Sequence, residues 1–135
     1  MTDPNVPMDR KKIQKGTGIA GNVATTLTVP AGERWFLTNV TVILTTDATV
    51  KNRNAQIFTR DSAATTIFKN ASNSVAASQT NVDKYFIYGL SSTGVSYNAL
   101  GYNVLDPTDD LYITIYNGEA GDSYDYLVEY LKVEI

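Results

Sequence analysis

Apolar and polar residues alternate along much of the chain, which is the pattern of half-buried β-strands. The longest run follows Val29-Pro30-Ala31-Gly32, a segment with the composition of a type I turn. From residue 34 to 46, one face of a predicted strand carries Phe36, Thr38, Val40, Val42 and Leu44, and the other face carries Leu37 and Ile43. After Thr46-Asp47-Ala48-Thr49 a second strand follows, with Ala55 and Ile57 on its core face. The stretch 29–61 therefore predicts a β-hairpin.

The same pattern continues along the chain and predicts eight strands. They cover residues 23–29, 34–46, 52–60, 64–69, 82–90, 97–104, 110–117 and 123–134, with a long polar loop at 70–80. The last segment also fits a helical face, but its Tyr and Val residues favour a strand, and the turn at 117–122 would join it to the preceding strand as a hairpin. The prediction is an all-β fold: a single antiparallel β-sandwich, jelly-roll-like.

The first residues differ from the rest of the chain in composition. Residues 1–18 hold two prolines, two glycines and a charge cluster, with little apolar area to bury. We therefore expect a flexible N-terminal arm over residues 1–18 and a sandwich domain over residues 19–135.

The turns and strands of residues 24–70, including the run LTTDATVKNRNAQIFTRD, resemble those of small virion-associated proteins of tailed phages and archaeal viruses. That group includes capsid decoration, fibre and tail-accessory β-sandwich proteins. The resemblance implies an oligomeric sandwich, with a trimer favoured, bound to a virus particle. It transfers no catalytic or ligand residue, because the matching pattern contains no functional motif.

Composition excludes several kinds of chemistry. The chain has no cysteine and no histidine, so it cannot form a disulfide, a His-containing catalytic triad or a His- or Cys-ligated zinc site. Six carboxylates crowd two predicted turns: Asp106, Asp109, Asp110, Glu119, Asp122 and Asp125. They lack the ordered spacing of a calcium loop, and turn-forming, solvated Asp explains them better. We predict no catalytic residue, no cofactor and no metal site, and therefore no enzyme.

Charge and hydropathy limit the kinds of partner that the chain is expected to bind. No apolar run approaches the ~20 residues of a membrane helix, and the N-terminus lacks the apolar core of a secretory signal, so a soluble protein is expected. The net charge of −3 argues against nucleic-acid binding. Charge is nevertheless uneven: residues 1–18 carry four Lys or Arg against two Asp, whereas residues 101–135 carry eight Asp or Glu against one Lys.

The basic cluster of the arm is a candidate interface. It consists of Arg10, Lys11, Lys12 and Lys15. Such a cluster is either a solvated tail or a contact to the acidic surface of a neighbouring subunit or of the capsid shell, where complementary charge fixes orientation.

The tyrosines form the second candidate, because all nine fall at or after residue 85. On the predicted hairpin, five of them could share one aromatic face: Tyr112, Tyr116, Tyr124, Tyr126 and Tyr130. That face could be cross-strand packing, a subunit interface or a platform for stacking sugars.

The sequence thus predicts a non-enzymatic viral structural or accessory protein, located in the virion, that self-associates and docks on capsid or tail proteins as a decoration, turret, fibre or tail component. The alternative is a carbohydrate-binding module of a receptor-binding viral protein, which would use the tyrosine face to bind a glycan.

Overall fold

The computed structural model describes residues 11–72, 74–86, 91–92, 95–99 and 103–135, with side chains described outside 85–99. Over these ranges the chain forms strands joined by turns and loops. The strands are β1 (Lys11–Ala20), β2 (Thr25–Thr28), β3 (Glu33–Thr45), β4 (Asn54–Arg60), β5 (Thr66–Ala71), β6 (Thr80–Phe86), β7 (Ser91–Ser92), β8 (Val95–Ala99), β9 (Val104–Leu105), β10 (Asp110–Tyr116) and β11 (Ser123–Glu134).

The described strands form two sheets. The larger sheet has the order β1-β11-β3-β6-β8-β7, and β9 adds to β3 beside it. The smaller sheet has the order β2-β10-β4-β5. Pairing is antiparallel except between β6 and β8, which run parallel. The prediction of an all-β, jelly-roll-like sandwich is confirmed.

One apolar core lies between the two sheets. The larger sheet contributes residues of β3 and β11, and the smaller sheet contributes residues of β4 and β10. The fully buried aliphatic side chains among them are Leu37, Val40, Val42, Leu44, Ala55, Leu111, Ile113 and Val128. Since period-2 alternation places successive side chains on opposite faces, each strand also presents an outer face. These two outer faces are the surfaces on which a partner can dock.

A β-bulge in β3 reverses the predicted faces at its start. Glu129 pairs with Asn39 whereas the next residue, Tyr130, pairs with Leu37, so β3 holds one extra residue there. As a result Leu37 is buried with Val40, and Phe36 lies on the outer face, the opposite of the predicted assignment. The assignment for β4 is confirmed, since Ala55 and Ile57 are buried.

Neither predicted hairpin exists. β3 and β4 lie in different sheets, and so do β10 and β11. The connections 46–53 and 117–122 cross from one sheet to the other at the same end of the sandwich. The physical reason is that all four strands bury a face in one core, and two layers bury those faces against each other better than one sheet could.

The structure extends the sandwich into the predicted arm. Lys11–Ala20 is an edge strand of the larger sheet, and it pairs with β11 from Lys11↔Leu131 to Ala20↔Ser123 around a bulge between Gly16 and Ile19. The alternation here is weak because lysines and glycines occupy half of the ten positions, and the sequence therefore did not predict this strand. The first ten residues of the predicted arm lie outside the described residues, as do positions 87–90 and 100–102 of the predicted strands 82–90 and 97–104.

This edge strand leads to a prediction about truncation. Deleting residues 1–20 should lower the free energy of unfolding by about 2 kcal/mol or more, because Ile19 packs against the core and the Gln14 amide donates a hydrogen bond to the Tyr130 hydroxyl. Deleting residues 1–10 leaves β1 intact and should change the free energy of unfolding little. Urea unfolding of the two truncated proteins makes the comparison. Equal stability of both would show that β1 contributes nothing to the fold.

Candidate interaction surfaces

The basic cluster lies on an edge strand of the larger sheet. Lys11 and Lys15 pair with Leu131 and Leu127 and share their outer face, whereas Lys12 pairs with Tyr130 and takes the opposite side of the strand. All three lysines are exposed, and Lys11 lies 3.7 Å from the Glu129 carboxylate. Arg10 lies outside the described residues. Charged side chains along an edge strand discourage uncontrolled strand pairing, so these lysines also protect the sheet edge.

The five candidate tyrosines do not share a face. Tyr112 and Tyr116 lie on the outer face of the smaller sheet, in β10. Tyr124, Tyr126 and Tyr130 lie in β11 of the larger sheet and point toward the core. The predicted common face depended on a hairpin between β10 and β11, and that hairpin does not form.

Two of the inward tyrosines are core residues with defined partners. The Tyr130 ring stacks on Trp35 with ring centroids 4.1 Å apart. The Tyr124 hydroxyl donates a hydrogen bond to the Val23 carbonyl (2.7 Å) and lies 2.8 Å from the Thr25 hydroxyl. Burial raises the pKa of Tyr124 above its ordinary value of 10.0, although the hydrogen bond with Thr25 opposes this. These groups hold the sandwich together and are not available to a ligand.

The outer face of the smaller sheet carries an aromatic row. Strand register aligns Thr26, Tyr112, Phe58 and Lys69 across all four strands. The Phe58 and Tyr112 rings are 5.7 Å apart at their centroids, and the Lys69 ammonium lies 5.3 Å from the Phe58 centroid. We call these four residues, together with Arg60, the aromatic row.

Arg60 is the charged member of this row, and it is held in place from two sides. Its guanidinium carbon lies 4.0 Å from the Tyr112 ring centroid, a cation–π contact. The guanidinium also donates two hydrogen bonds to the Asp110 carboxylate, at 2.8 and 3.1 Å. The hydrogen bond to Asp110 raises the pKa of Arg60 above its ordinary value, so the group stays charged. Neither Arg60 nor Phe58 was predicted from the sequence as a site residue.

The outer face of the larger sheet is more apolar. Its exposed or half-buried side chains include Ile13, Phe36, Ile43, Val82, Leu127 and Leu131, which we call the outer apolar face. A groove of about 180 Å³ opens on this face between β1, β11 and β3. Thr41, Ile43 and Leu127 line its floor, and Lys15 and Asp125 border it. The groove exposes almost no polar surface, so it fits a hydrophobic side chain.

The acidic residues of the C-terminal third act mainly as structural partners of cations and backbone amides. Asp106 accepts a hydrogen bond from Arg34 (2.7 Å), Glu119 lies 2.5 Å from the Lys51 ammonium, and Asp125 accepts a hydrogen bond from the Gly18 backbone (2.8 Å). Among the described residues, no group of three or more carboxylates is placed to hold a metal ion. The residues that the structure describes contain no helix that is long and apolar enough to span a membrane.

A buried ion pair joins the connections 46–53 and 117–122, two of the crossings between the sheets. Arg53 and Asp122 are both about 1% exposed, and two hydrogen bonds of 3.0 Å link the guanidinium to the Asp122 carboxylate. Arg53 also donates to Asp47 Oδ1 (2.6 Å) and to the backbone carbonyls of Thr49 and Lys51. All the donor atoms of this guanidinium are therefore satisfied, which offsets the cost of burying its charge.

Asp122 completes this cluster from the other connection. Its carboxylate accepts the backbone N–H groups of Asp47 and Glu119, each at 2.8 Å. Burial alone would raise the pKa of Asp122, but these two N–H groups and Arg53 outweigh it and hold the pKa below the ordinary value of 3.8. Sequence reasoning assigned Asp122 to a solvated turn, because nothing local in the sequence reveals that Arg53 lies opposite.

A pH dependence follows from Asp122. A carboxylate with a lowered pKa in the folded state adds stability that is complete above its unfolded-state pKa and is lost as the pH falls through the folded value. We therefore expect the melting temperature to fall at pH values below 3.8, the ordinary pKa of the carboxyl group. The variant Asp122→Asn should start from a lower melting temperature and fall less steeply in this range. Parallel curves for the two proteins, recorded by circular dichroism, would contradict this.

Asp109 provides a control, because its pKa is shifted in the opposite direction to that of Asp122. Burial raises its pKa, the Asp106 backbone N–H opposes this, and the nearby carboxylates of Asp106, Asp61 and Asp110 add to the increase. A raised carboxyl pKa means that protonation favours the folded state, so Asp109 partly offsets the acid loss. In Asp109→Asn the melting temperature should accordingly fall more steeply at low pH than in the wild type.

Comparison with known proteins finds similarity at the level of structure. No family model matches the sequence, and no curated protein matches it. The infectious bursal disease virus VP2 subviral particle matches with a TM-score of 0.44 and 16% identity, over 96% of this chain and 36% of that chain. Infectious bursal virus derived T=1 particles match with a TM-score of 0.44 and 16% identity, over 97% and 35%.

A structure of the Gx strain of the same virus matches with a TM-score of 0.41 and 15% identity, over 90% of this chain and 32% of that chain. This chain thus spans about a third of the length of the structures it matches.

Proposed function

We propose that this chain is a non-enzymatic structural or accessory protein of a virus particle, which self-associates and docks on capsid or tail proteins. The observation that carries the proposal is the outer apolar face, a broad sheet surface with a hydrophobic groove on a sandwich that already has a complete core. A contiguous apolar patch on a folded domain marks an interaction site. The assignment to a virus particle comes from the resemblance of residues 24–70 to virion-associated sandwiches.

The mechanism of such a part is geometric. The ion pair of Arg53 and Asp122 fixes both connections at one end of the sandwich, and Tyr124 ties β11 to the Val23 carbonyl across the sheets. A domain fixed in this way presents its outer faces with little loss of entropy on binding. The copies would then assemble by closed symmetry and remain in the virion. The resemblance favours a trimer, and the lysines of β1 supply a basic rim for an acidic neighbour.

A density gradient tests docking directly. Fluorescently labelled protein, mixed with purified particles of the virus that encodes it, should co-sediment with them. Replacing Lys11, Lys12 and Lys15 with Glu should weaken binding, and raising salt should do the same, because exposed charges are screened over ~8 Å at physiological ionic strength. If the labelled protein stays at the top of the gradient at low salt, docking on the particle is wrong.

The aromatic row favours a second candidate, a carbohydrate-binding module of a receptor-binding viral protein. Tyr112 and Phe58 offer adjacent rings, and Gln56 and Thr114 pair on the next row of the same face. Sugars stack on such rings while amides and hydroxyls bind their hydroxyl groups. A glycan array should then give a signal that Tyr112→Ala removes and Tyr116→Ala, at the end of the same strand, retains. An array without signal would exclude this candidate.

A further inference from the structure

The outer apolar face extends over four neighbouring strands, and Glu129 and Asn39 lie in the row between those of Leu131 and Leu127. In register, one row across the sheet is Lys11, Leu131 and Phe36; another is Lys15, Leu127, Thr41 and Lys84; a third is Asp125, Ile43 and Val82. Each row joins apolar or small side chains to a charged one. Ile13 protrudes from this surface with 55% of its area exposed, although it is a large aliphatic residue.

The size of this face matches that of a protein interface. β11 has 12 residues. At ~3.4 Å per residue and ~4.8 Å per strand, the four strands β1, β11, β3 and β6, with 10, 12, 13 and 7 residues, cover roughly 690 Å². A stable interface of standard size buries about 800 Å² on each partner. The face is therefore close in size to one side of a standard interface.

The charges of the face indicate what covers it. Lys11, Lys15 and Lys84 stand on the same surface as Asp125 and Glu129. A partner that was purely acidic or purely basic would meet like charge at some of these positions, which costs affinity. A second copy of the same face carries both signs, and a two-fold rotation about the groove can place its lysines opposite Asp125 and Glu129.

We propose that the outer apolar face binds the same face of a second copy, in an isologous contact centred on the groove lined by Thr41, Ile43 and Leu127. A side chain of one copy enters the groove of the other, while the lysines of each copy meet Asp125 and Glu129 of its partner. This inference rests on the self-association proposed above. It specifies a two-fold pair, with a mass of twice 14.7 kDa, rather than the trimer that the resemblance favours.

Cysteine cross-linking tests the contact, because the chain has no cysteine of its own. An isologous interface brings residues near its axis close to their own copies, and a disulfide forms where Cα atoms come within ~7 Å. Single-cysteine variants at Thr41, Leu127 and Glu129 should include at least one that forms a covalent dimer under mild oxidation. Thr114→Cys is the matched control, since Thr114 is also half-buried and lies on the outer face of the smaller sheet.

Light scattering coupled to size exclusion supplies the second readout. The variant Leu127→Asp should run at 14.7 kDa and keep the circular dichroism spectrum of the folded domain, whereas Thr114→Asp should keep the dimer mass. If the wild type is oligomeric but Leu127→Asp leaves its mass unchanged, another surface joins the copies and this inference is overturned while self-association stands. A wild type that is monomeric at high micromolar concentration overturns both. Cross-linking of Thr114→Cys as fast as that of the face variants also overturns the inference.

Discussion

Replacing Arg53 with methionine should lower the free energy of unfolding by about 3–5 kcal/mol, the usual cost of breaking a buried ion pair from one side. The change leaves the Asp122 carboxylate buried and without its counter-charge, and it frees the backbone carbonyls of Thr49 and Lys51. The connections 46–53 and 117–122 should both become less stable. Urea denaturation followed by circular dichroism measures the loss.

A paired substitution separates the ion pair from simple packing. In Arg53→Met with Asp122→Leu, no buried charge remains, so part of the lost stability should return. The double variant still leaves the backbone N–H groups of Asp47 and Glu119 without their acceptor, which limits the recovery. A single Arg53→Met change that costs less than about 1 kcal/mol would mean that the pair does not hold the two connections.

Tyr130→Ala should have an effect of similar size. Removing a buried aromatic side chain costs about 3–5 kcal/mol, because the transfer free energy is lost and a cavity remains. Here the ring also stacks on Trp35, and its hydroxyl accepts the hydrogen bond from Gln14 of the edge strand. Thermal unfolding of the purified variant, compared with that of the wild type, measures the loss of stability.

Tyr116→Ala is the control for this change. Tyr116 is 57% exposed at the end of β10, and its truncation should alter stability by no more than about 0.5 kcal/mol. The two tyrosines belonged to one predicted aromatic face, so this pair of variants also tests the separation of that face into core and surface. Equal losses for both would contradict the assignment of Tyr130 to the core.

Local alternation predicted most of the longer strands, but it did not predict the edge strand β1, Lys11–Ala20. The faces of β4 follow directly from the sequence, since Ala55 and Ile57 alternate with polar residues and no bulge interrupts them. In β3 the same reasoning fails at Leu37, because the bulge opposite Glu129 and Tyr130 shifts the alternation by one residue. A bulge of this kind depends on the partner strand, and the sequence of β3 does not specify it.

Which strands share a sheet could not be read from the sequence. Loop composition at 46–53 and 117–122 is compatible with a hairpin turn and with a crossover between sheets. The interactions that decide between them are long-range: Arg53 with Asp122, and Asp47 with the same carboxylate. Each residue on its own reads as a surface charge, and only the fold brings them together.

The candidate surfaces show the same limit. Composition and alternation indicate the lysines of β1 and the outward direction of Tyr112, but the aromatic row needs the register of four strands. The outer apolar face likewise combines residues from β1, β3, β6 and β11, which are separated by most of the chain. The sequence supplied individual residues, and the pairing of strands supplied the surfaces.

Quantitative mass spectrometry of purified virus particles tests the central claim most directly. Under the proposed function the chain is encoded by a virus, and particles of that virus, washed at physiological salt and separated from cell debris on a gradient, should contain the protein in a fixed ratio to the main shell protein. That ratio should be the same in independent preparations and across the particle peak. If the protein is abundant in infected cells but absent from the particles, it is not a component of the virion, and the proposed function is wrong.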